Sequence, residues 1–408
     1  MPTAQPSYAT DWLALAQALQ PETIALRRAI HQEPELGLEL PRTRRKLLDS
    51  LAPLGLDVRL SETTSGIVAM LDTGRPGPVV LLRGDMDALP VREANDLPFR
   101  SALEGRMHAC GHDGHSAMVM SAAKALVQRR DRLSGKILFM FQPGEEGWHG
   151  ARFMIEEGLL DDPKPDLAYA FHVWPTLAKG KVMGRSGTLL AAHDTFEADI
   201  VGRGGHGSMP QDAIDPVPVA CEAVLALQSA VTRRFSVADP VVVSVCAING
   251  GTTDNVIPER VKLQGTIRSL SLESRERARE IVARVIENVA AAHGATVDFR
   301  LEPGFPPTVC AEEAVARGRA VARRLLGPDA WVEMAHPTMG AEDFSYVLQR
   351  VPGAMLLLGI GTGRPLHSNH FILDEDVLAD GVALLCGLVE DAARPAPSGP
   401  PLRERNEA

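Results

Sequence analysis

Apolar residues along this chain follow a helical spacing first and a strand-like one later. Trp12, Leu13, Leu15, Ala16 and Leu19 recur at helical intervals over residues 12–20. A second helix is predicted over 21–31, because Pro21 suits a first helical turn. Residues 42–51 carry a third amphipathic pattern, which Pro53 and Gly55 end. Residues 67–71 and 78–83 then read as strands, separated by Thr73-Gly74-Arg75-Pro76-Gly77. Val79-Val80-Leu81-Leu82 is a continuous apolar run, as in a strand covered on both faces. A helix is expected over 114–129, a buried strand over 136–141, a helix over 151–157 and a short strand over 167–171, with His172 at its end. Alternation of this kind predicts an α/β sheet with one working edge.

After a turn-rich stretch over 180–187, the pattern changes. Strand 193–201, helix 216–233, strands 240–248 and 260–269, helix 271–293 and strand 296–301 spell β-α-β-β-α-β, the ferredoxin-like order. Residues 188–303 therefore read as a domain of roughly 115 residues inserted into the first. Glu302-Pro303-Gly304-Phe305-Pro306-Pro307 closes it as a hinge. Residues 1–187 and 304–408 form the two parts of the surrounding domain. The second part offers a helix over 311–326, a strand over 354–358, a glycine-rich loop holding His367 and a closing helix over 376–393. A Pro-rich, polar tail from about 394 is expected to be disordered.

Composition narrows the partners. The 408 residues carry a net charge of −10, which repels phosphate backbones and argues against nucleic acid, though not against a small anionic substrate. Hydrophobic residues at 45% and charged residues at 23% suit a globular chain with a sizeable core. Five scattered cysteines do not make a disulfide framework and fit a reducing compartment. Residues 1–10 show no basic region followed by an apolar core, and no apolar run approaches the ~20 residues of a membrane helix. A cytoplasmic protein without a membrane partner is the expectation.

The chemistry gathers around Met107-His108-Ala109-Cys110-Gly111-His112-Asp113-Gly114-His115. A thiolate and imidazoles two residues apart on a bent loop suit a zinc-like ion. Other ligand or proton-moving types stand at strand ends or in loops: Asp85, Asp87, Glu145, Glu146, His172 and His367. Neighbouring side chains of an extended backbone point to opposite sides, so one of Glu145 and Glu146 can face a metal while the other addresses water or substrate. The cysteine favours zinc, cobalt or nickel over magnesium or calcium, and one thiolate can bridge two ions. Two ions ~3.5–4 Å apart would activate a water and polarise a carbonyl, which is hydrolytic chemistry.

Seven motifs in order carry a resemblance: Gly84-Asp85-Met86-Asp87-Ala88-Leu89-Pro90, His108-Ala109-Cys110-Gly111-His112-Asp113, Gln142-Pro143-Gly144-Glu145-Glu146, His172-Val173-Trp174-Pro175, Asn255-Val256-Ile257-Pro258, Gly265-Thr266-Ile267-Arg268 and Gly340-Ala341-Glu342-Asp343-Phe344. The chain resembles the dinuclear metal-dependent amidohydrolases and peptidases of aminoacylase and carboxypeptidase type, in the branch of hippurate hydrolase, N-acyl-amino-acid amidohydrolases and auxin-conjugate (IAA-amino acid) hydrolases. The resemblance spans residues 27–376. It implies a zinc-peptidase-like α/β domain with a central mixed sheet flanked by helices, plus the inserted ferredoxin-like domain as lid and dimerisation surface. Two divalent ions (zinc, manganese, cobalt or nickel) are implied. Cys110 would bridge them, Glu146 and His367 would complete one site, and His112 and His172 the other.

Glu145 would be the general base for a metal-activated water, and Asp87 would orient a ligand imidazole, that of His112. His206 would reach a neighbouring subunit's site and polarise the scissile carbonyl, while Asn255 and Arg268 would bind substrate, Arg268 as a fork for its carboxylate. The implied reaction is hydrolysis of the amide of an N-acyl amino acid by a homodimer. Metallo-carboxypeptidase, dipeptidase and N-acetyldiaminopimelate deacetylase activities remain open alternatives. Gly84 and Gly144 depart from the alanines usual there, and His149 from a common glycine. The role of Asp85 stays open, because more distant relatives carry a metal histidine at that position.

Two other classes deserve weighing. A cysteine nucleophile using Cys110 and His112 is disfavoured by their separation of only two residues, since such pairs meet across a fold. A binding protein without chemistry is disfavoured by the presence of Glu145 beside every implied ligand. His31, His193, His293 and His336 read as structural, His108 and His115 as support for the ligand loop. Cys221, Cys246, Cys310 and Cys386 read as small core hydrophobes.

Overall fold

In a computed structural model, which describes residues 9–394, the first helix runs unbroken over Ala9–His31. The expected boundary at Pro21 is absent. Trp12, Ala16, Leu19, Thr23, Arg27 and Ile30 form one buried stripe across it. Pro21 and Gln17 lie on the exposed face, where the carbonyl that loses its amide partner is open to water.

The described residues divide into two units. The smaller is Leu190–Thr308 with Pro337–Glu342, and the larger is the remainder. The boundaries expected at 188 and 303 thus shift by a few residues, and residues 337–342, expected in the surrounding domain, join the smaller unit. The reason is local pairing: Ala191 donates to the carbonyls of both Thr338 and Gly340.

The larger unit is built on an eight-stranded mixed sheet. Its order is Asp57–Leu60, Ile67–Asp72, Lys136–Gln142, Val79–Asp85, Leu167–Trp174, Gly353–Gly359, Val182–Gly184 and Trp331–Glu333. The four strands from Lys136–Gln142 to Gly353–Gly359 are mutually parallel and almost wholly buried, as continuous apolar runs require. Helices Ala9–His31, His112–Gln128 and Leu378–Ala392 pack on one another and, through the last two, on these strands. Three short strands of this sheet escaped the sequence reading: Asp57–Leu60, Val182–Gly184 and Trp331–Glu333. Each is three or four residues long, too short for periodicity to register. A further single helical turn, Ser345–Leu348, follows Phe344. Apart from Arg394, the predicted disordered tail lies outside the described residues.

The smaller unit has a four-stranded antiparallel sheet in the order Val241–Gly250, Arg260–Ser269, Ala192–Val201, Thr296–Pro303. Numbered along the chain this is 2-3-1-4, the ferredoxin-like topology. Helices Pro216–Arg234 and Leu272–Ala292 cover the sheet over Phe196, Ile200, Leu227, Leu263, Ile267 and Ile286. Asp215 and Ser271 cap them by accepting hydrogen bonds from the Val217 and Ser274 amides. Two expected core cysteines are exposed. The register between Val241–Gly250 and its neighbour slips between Val245 and Ala247, so Cys246 is the extra residue of a β-bulge. Cys221 stands on the outer face of its helix, whereas Cys310 and Cys386 are buried.

Candidate metal centre

Parallel pairing brings the chemistry to one sheet edge. Asp85 is in register with Gln142, so Asp85-Met86-Asp87 and Pro143-Gly144-Glu145-Glu146 leave the sheet side by side. The Met86 amide extends the ladder to the Gln142 carbonyl at 2.8 Å. The neighbouring strand continues to Trp174, so His172 lies within it rather than at its end as expected. The loop carrying Cys110 turns into the helix His112–Gln128 at Gly111, whose φ is +86°. A Cβ at Gly111 would also stand 2.5 Å from Val173, so only glycine fits this turn.

Five expected ligands converge in the larger unit. Donor atoms of Cys110, His112 and His172 lie within 4.8 Å of one another, and so do those of Cys110, Glu146 and His367. Cys110 Sγ is 3.3 Å from His172 Nε2. His367 Nε2 is 3.2 Å from Glu146 Oε1. His112 Nε2 stands 3.9 Å from Glu146 Oε1 and 4.0 Å from Glu145 Oε2. Burial pushes the Cys110 thiol well up, with Glu146 and Glu145 adding to it, and pushes the His172 imidazole well down. For His112 burial works downward, but Asp85 and Asp87 outweigh it and hold the imidazole up at about 10.

The residues fit a divalent metal. His112 Nε2 is buried without a hydrogen-bond partner among the described residues. The carboxylates that hold this imidazole up favour positive charge at Nε2, and a metal cation bound there would supply it in place of the second proton. Its other nitrogen, Nδ1, lies 2.9 Å from the Asp87 carbonyl, which leaves Nε2 as the ligand atom. His172 repeats the arrangement, with Nδ1 2.8 Å from the Val173 carbonyl.

Asp87 does more than the sequence suggested. Its carboxylate lies 3.4 Å from His112 Nδ1, but its two oxygens also accept the Glu145 and Glu146 amides, each at 3.0 Å. One side chain therefore sets both the imidazole and the glutamate pair. Asp85 is fully buried between Arg83 Nη1 and His115 Nδ1, the latter at 2.7 Å, and stands 3.6 Å from His112 Nε2. Burial acts to raise the Asp85 carboxyl, and Arg83 with the two histidines overrides it and keeps it well below the ordinary range. His115 Nε2 accepts the Val173 amide at 3.0 Å, so its proton sits on Nδ1 toward Asp85. Arg83 was missed from sequence; its signal is a charge inside an apolar strand two residues before a carboxylate.

Among the described residues, two other than glycine adopt positive φ, His149 at +59° and His367 at +63°. Both lie on loops of this site, where strained backbone is commonly kept for function. The glycine common at position 149 is explained by that φ. Its imidazole Nδ1 is 2.9 Å from the Tyr346 hydroxyl.

His206, Asn255 and Arg268 belong to the smaller unit and are described within it. His206 is exposed on the two-residue strand Gly205–His206, paired with Val256–Ile257, and its Nδ1 accepts from the Ser208 amide. Asn255 is exposed, and its carbonyl holds the Gly207 amide at 2.8 Å. Arg268 is half-buried and donates to the Met339 carbonyl at 3.4 Å.

Residues 81–391 match the family model described as peptidase family M20/M25/M40. An IAA-amino acid hydrolase (ILR1-like 2) of Arabidopsis thaliana is 38% identical over 371 residues, covering 88% of this chain and 83% of its own. Thermostable carboxypeptidase 2 of Saccharolobus solfataricus is 36% identical over 367 residues, covering 88% and 92%. The crystal structure of the YXEP protein of Bacillus subtilis, described as a dinuclear metal-binding peptidase from the M20 family, superposes with a TM-score of 0.81 at 31% identity, covering 92% of this chain and 99% of that one.

Proposed function

The chain belongs to peptidase family M20/M25/M40, and we propose that it hydrolyses the amide bond of N-acyl amino acids with two divalent metal ions held by Cys110, His112, Glu146, His172 and His367. The observation that carries this reading is Cys110, which is common to two donor groups, each completed by different histidines. A thiolate so shared suits two adjacent ions, zinc, manganese, cobalt or nickel. The dinuclear metal binding ascribed to the Bacillus subtilis relative supports the count.

When bound, the ions supply Lewis acidity, acidifying a water and polarising the amide carbonyl. Glu145 takes the proton of the attacking water. As the carbon–oxygen bond forms and the carbon–nitrogen bond breaks, it passes that proton to the leaving amine. The products are a carboxylic acid and a free amino acid. Asp87 keeps Glu145 in place through its amide. Arg268 provides a two-pronged partner for the substrate carboxylate and Asn255 a polar contact. The protein acts as a homodimer through its smaller unit, in which the partner subunit's His206 donates to the developing oxyanion.

The auxin-conjugate hydrolase relative supports an acyl amino acid as substrate, and the carboxypeptidase relative supports the rival, a short peptide. Hydrolysis of hippurate, several N-acetyl amino acids and several dipeptides, before and after chelation, tests this. Turnover of acyl amino acids that chelation abolishes and divalent metal restores is expected. Turnover confined to dipeptides would replace the substrate assignment, and turnover indifferent to chelation would refute the metal reading.

A further inference from the structure

The loop that carries His367 has almost no structure of its own. Between the strand ending at Gly359 and the short helix Glu375–Val377 no residue is in a helix or strand. Yet His367 must be held with φ at +63° beside Glu146. One hydrogen bond reaches it from the other ligand loop, from its own amide to the Ala109 carbonyl at 2.8 Å. Before His367 the Ile360, Gly361 and Gly363 amides donate to the Trp174, Leu177 and Pro175 carbonyls, whereas the ties flanking His367 go to a segment with no assigned role, residues 93–95.

The Ala94 amide donates to the Asn369 carbonyl at 2.9 Å, and Asn95 Nδ2 donates to the Phe371 carbonyl at 2.9 Å. Arg364 bridges the Asn95 side-chain oxygen at 3.3 Å and the His370 carbonyl at 3.1 Å. Asn95 Nδ2 also lies 3.3 Å from Glu93 Oε1, while Glu93 Oε2 accepts the Ser101 amide at 2.8 Å. From Glu93 the chain of contacts turns inward. Glu93 Oε1 is 3.3 Å from His31 Nε2, and His31 Nδ1 is 2.7 Å from Asp113 Oδ2. Arg27 Nε approaches the same oxygen at 2.7 Å. Asp113 directly follows the ligand His112. Glu93, Asn95, His31, Arg27 and Asp113 are all buried.

We infer that Glu93 and Asn95 are positioning residues, a buried clasp that fixes the His367 loop relative to the Cys110–His112 loop and so sets the spacing of the two ion sites. The physical reason is burial. Both His31 nitrogens face carboxylates, and the line from Arg27 through Asp113 and His31 to Glu93 places groups of opposite charge type in direct contact. Such a line is stable only when every member is paired, which makes it stiff and specific in geometry. Asn95 transmits that stiffness to the main chain just beyond His367, through the Phe371 carbonyl directly and the His370 carbonyl by way of Arg364. Neither residue touches an expected ligand side chain, and their effect is on where His367 stands.

This inference rests on the metal reading above. Its test is cobalt titration of metal-stripped protein, followed by absorption and calorimetry, for wild type, Asn95→Ala, Glu93→Gln and Arg317→Met. Arg317 makes a buried ion pair with Asp391 elsewhere in the larger unit and controls for general destabilisation. Asn95→Ala and Glu93→Gln are expected to weaken one of two ions about 10- to 100-fold, as loss of an outer support does elsewhere, with the cobalt–thiolate absorption of the other retained. Restoring the donor with Asn95→Gln recovers part of that affinity. Wild-type affinity for both ions in Asn95→Ala, or equal weakening of both as in Arg317→Met, would overturn the clasp. Uptake of no ions by wild type would instead overturn the metal reading itself.

Discussion

Cys110 Sγ and His172 Nε2 stand 3.3 Å apart, although the residues are 62 positions apart in the chain. The thiol comes from a loop and the imidazole from a central strand, and the parallel sheet fixes their separation. Replacing Cys110 with alanine removes the atom common to both donor groups. Metal affinity and turnover are expected to fall by at least about 100-fold, the upper range for a mere outer support. Metal content by mass spectrometry after dialysis checks this, and a Cys110→Ala protein that still holds two ions tightly would remove the bridge.

Glu146 pairs with His367, and Glu145 beside it stands 4.0 Å from His112 Nε2. Glu145→Gln keeps the shape and removes the base. The expected result is a kcat lower by about 100- to 10,000-fold with metal content unchanged. Wild-type turnover with both ions in place would assign the proton transfer elsewhere.

Asp87 serves two amides and one imidazole. Asp87→Ala leaves the Glu145 and Glu146 amides without their acceptor, at a cost of about 1–3 kcal/mol for each that stays buried and unpaired. A lower melting temperature and a lower kcat should appear together. Asp87→Asn, which retains an acceptor oxygen, should recover part of both.

Asp194 in the smaller unit accepts from Arg275, Arg279 and the Gly304 amide, where the chain leaves its last strand. Burial acts to raise its carboxyl, and the two guanidiniums outweigh burial and hold it below its ordinary 3.8. A depressed carboxylate contributes stability above its unfolded value and loses it as pH falls through the folded one. Asp194→Ala should therefore cost about 3–5 kcal/mol near neutrality, as for a broken buried pair. Denaturation at descending pH should show that cost shrinking below about pH 4, whereas a constant difference would contradict the linkage.

In the proposed homodimer His206 would serve the partner's site, so mixing is informative. His206→Ala and Glu145→Gln homodimers should each be nearly inactive. Subunit exchange between them should regain activity, because one site of each mixed dimer has both residues intact. No recovery after demonstrated exchange would place His206 in its own subunit's site or outside catalysis.

Much of this was legible beforehand because the motifs sit where a parallel sheet delivers them. Val79-Val80-Leu81-Leu82 and residues 136–141 announced buried strands, and the carboxylates after them fell at one edge. The ferredoxin-like order followed from well-spaced, strongly patterned elements. What was hidden depended on distant pairing. Pro21 inside a helix is tolerated because its exposed face meets water, which local propensity cannot foresee. Cys246 looked like core until a register slip turned it outward. Arg83, and the line from Arg27 to Asn95, bury charge against partners 2 to 348 positions away, and no periodicity reports such contacts.

The most direct measurement is the number of ions at which activity appears. Metal-stripped protein titrated with zinc or manganese, with turnover of an N-acyl amino acid and bound metal read in the same samples, gives that number. Two ions per subunit at full activity, with Cys110→Ala unable to reach it, is the predicted result. Full activity in stripped protein, or at a single ion with the second site never filling, would contradict the dinuclear account.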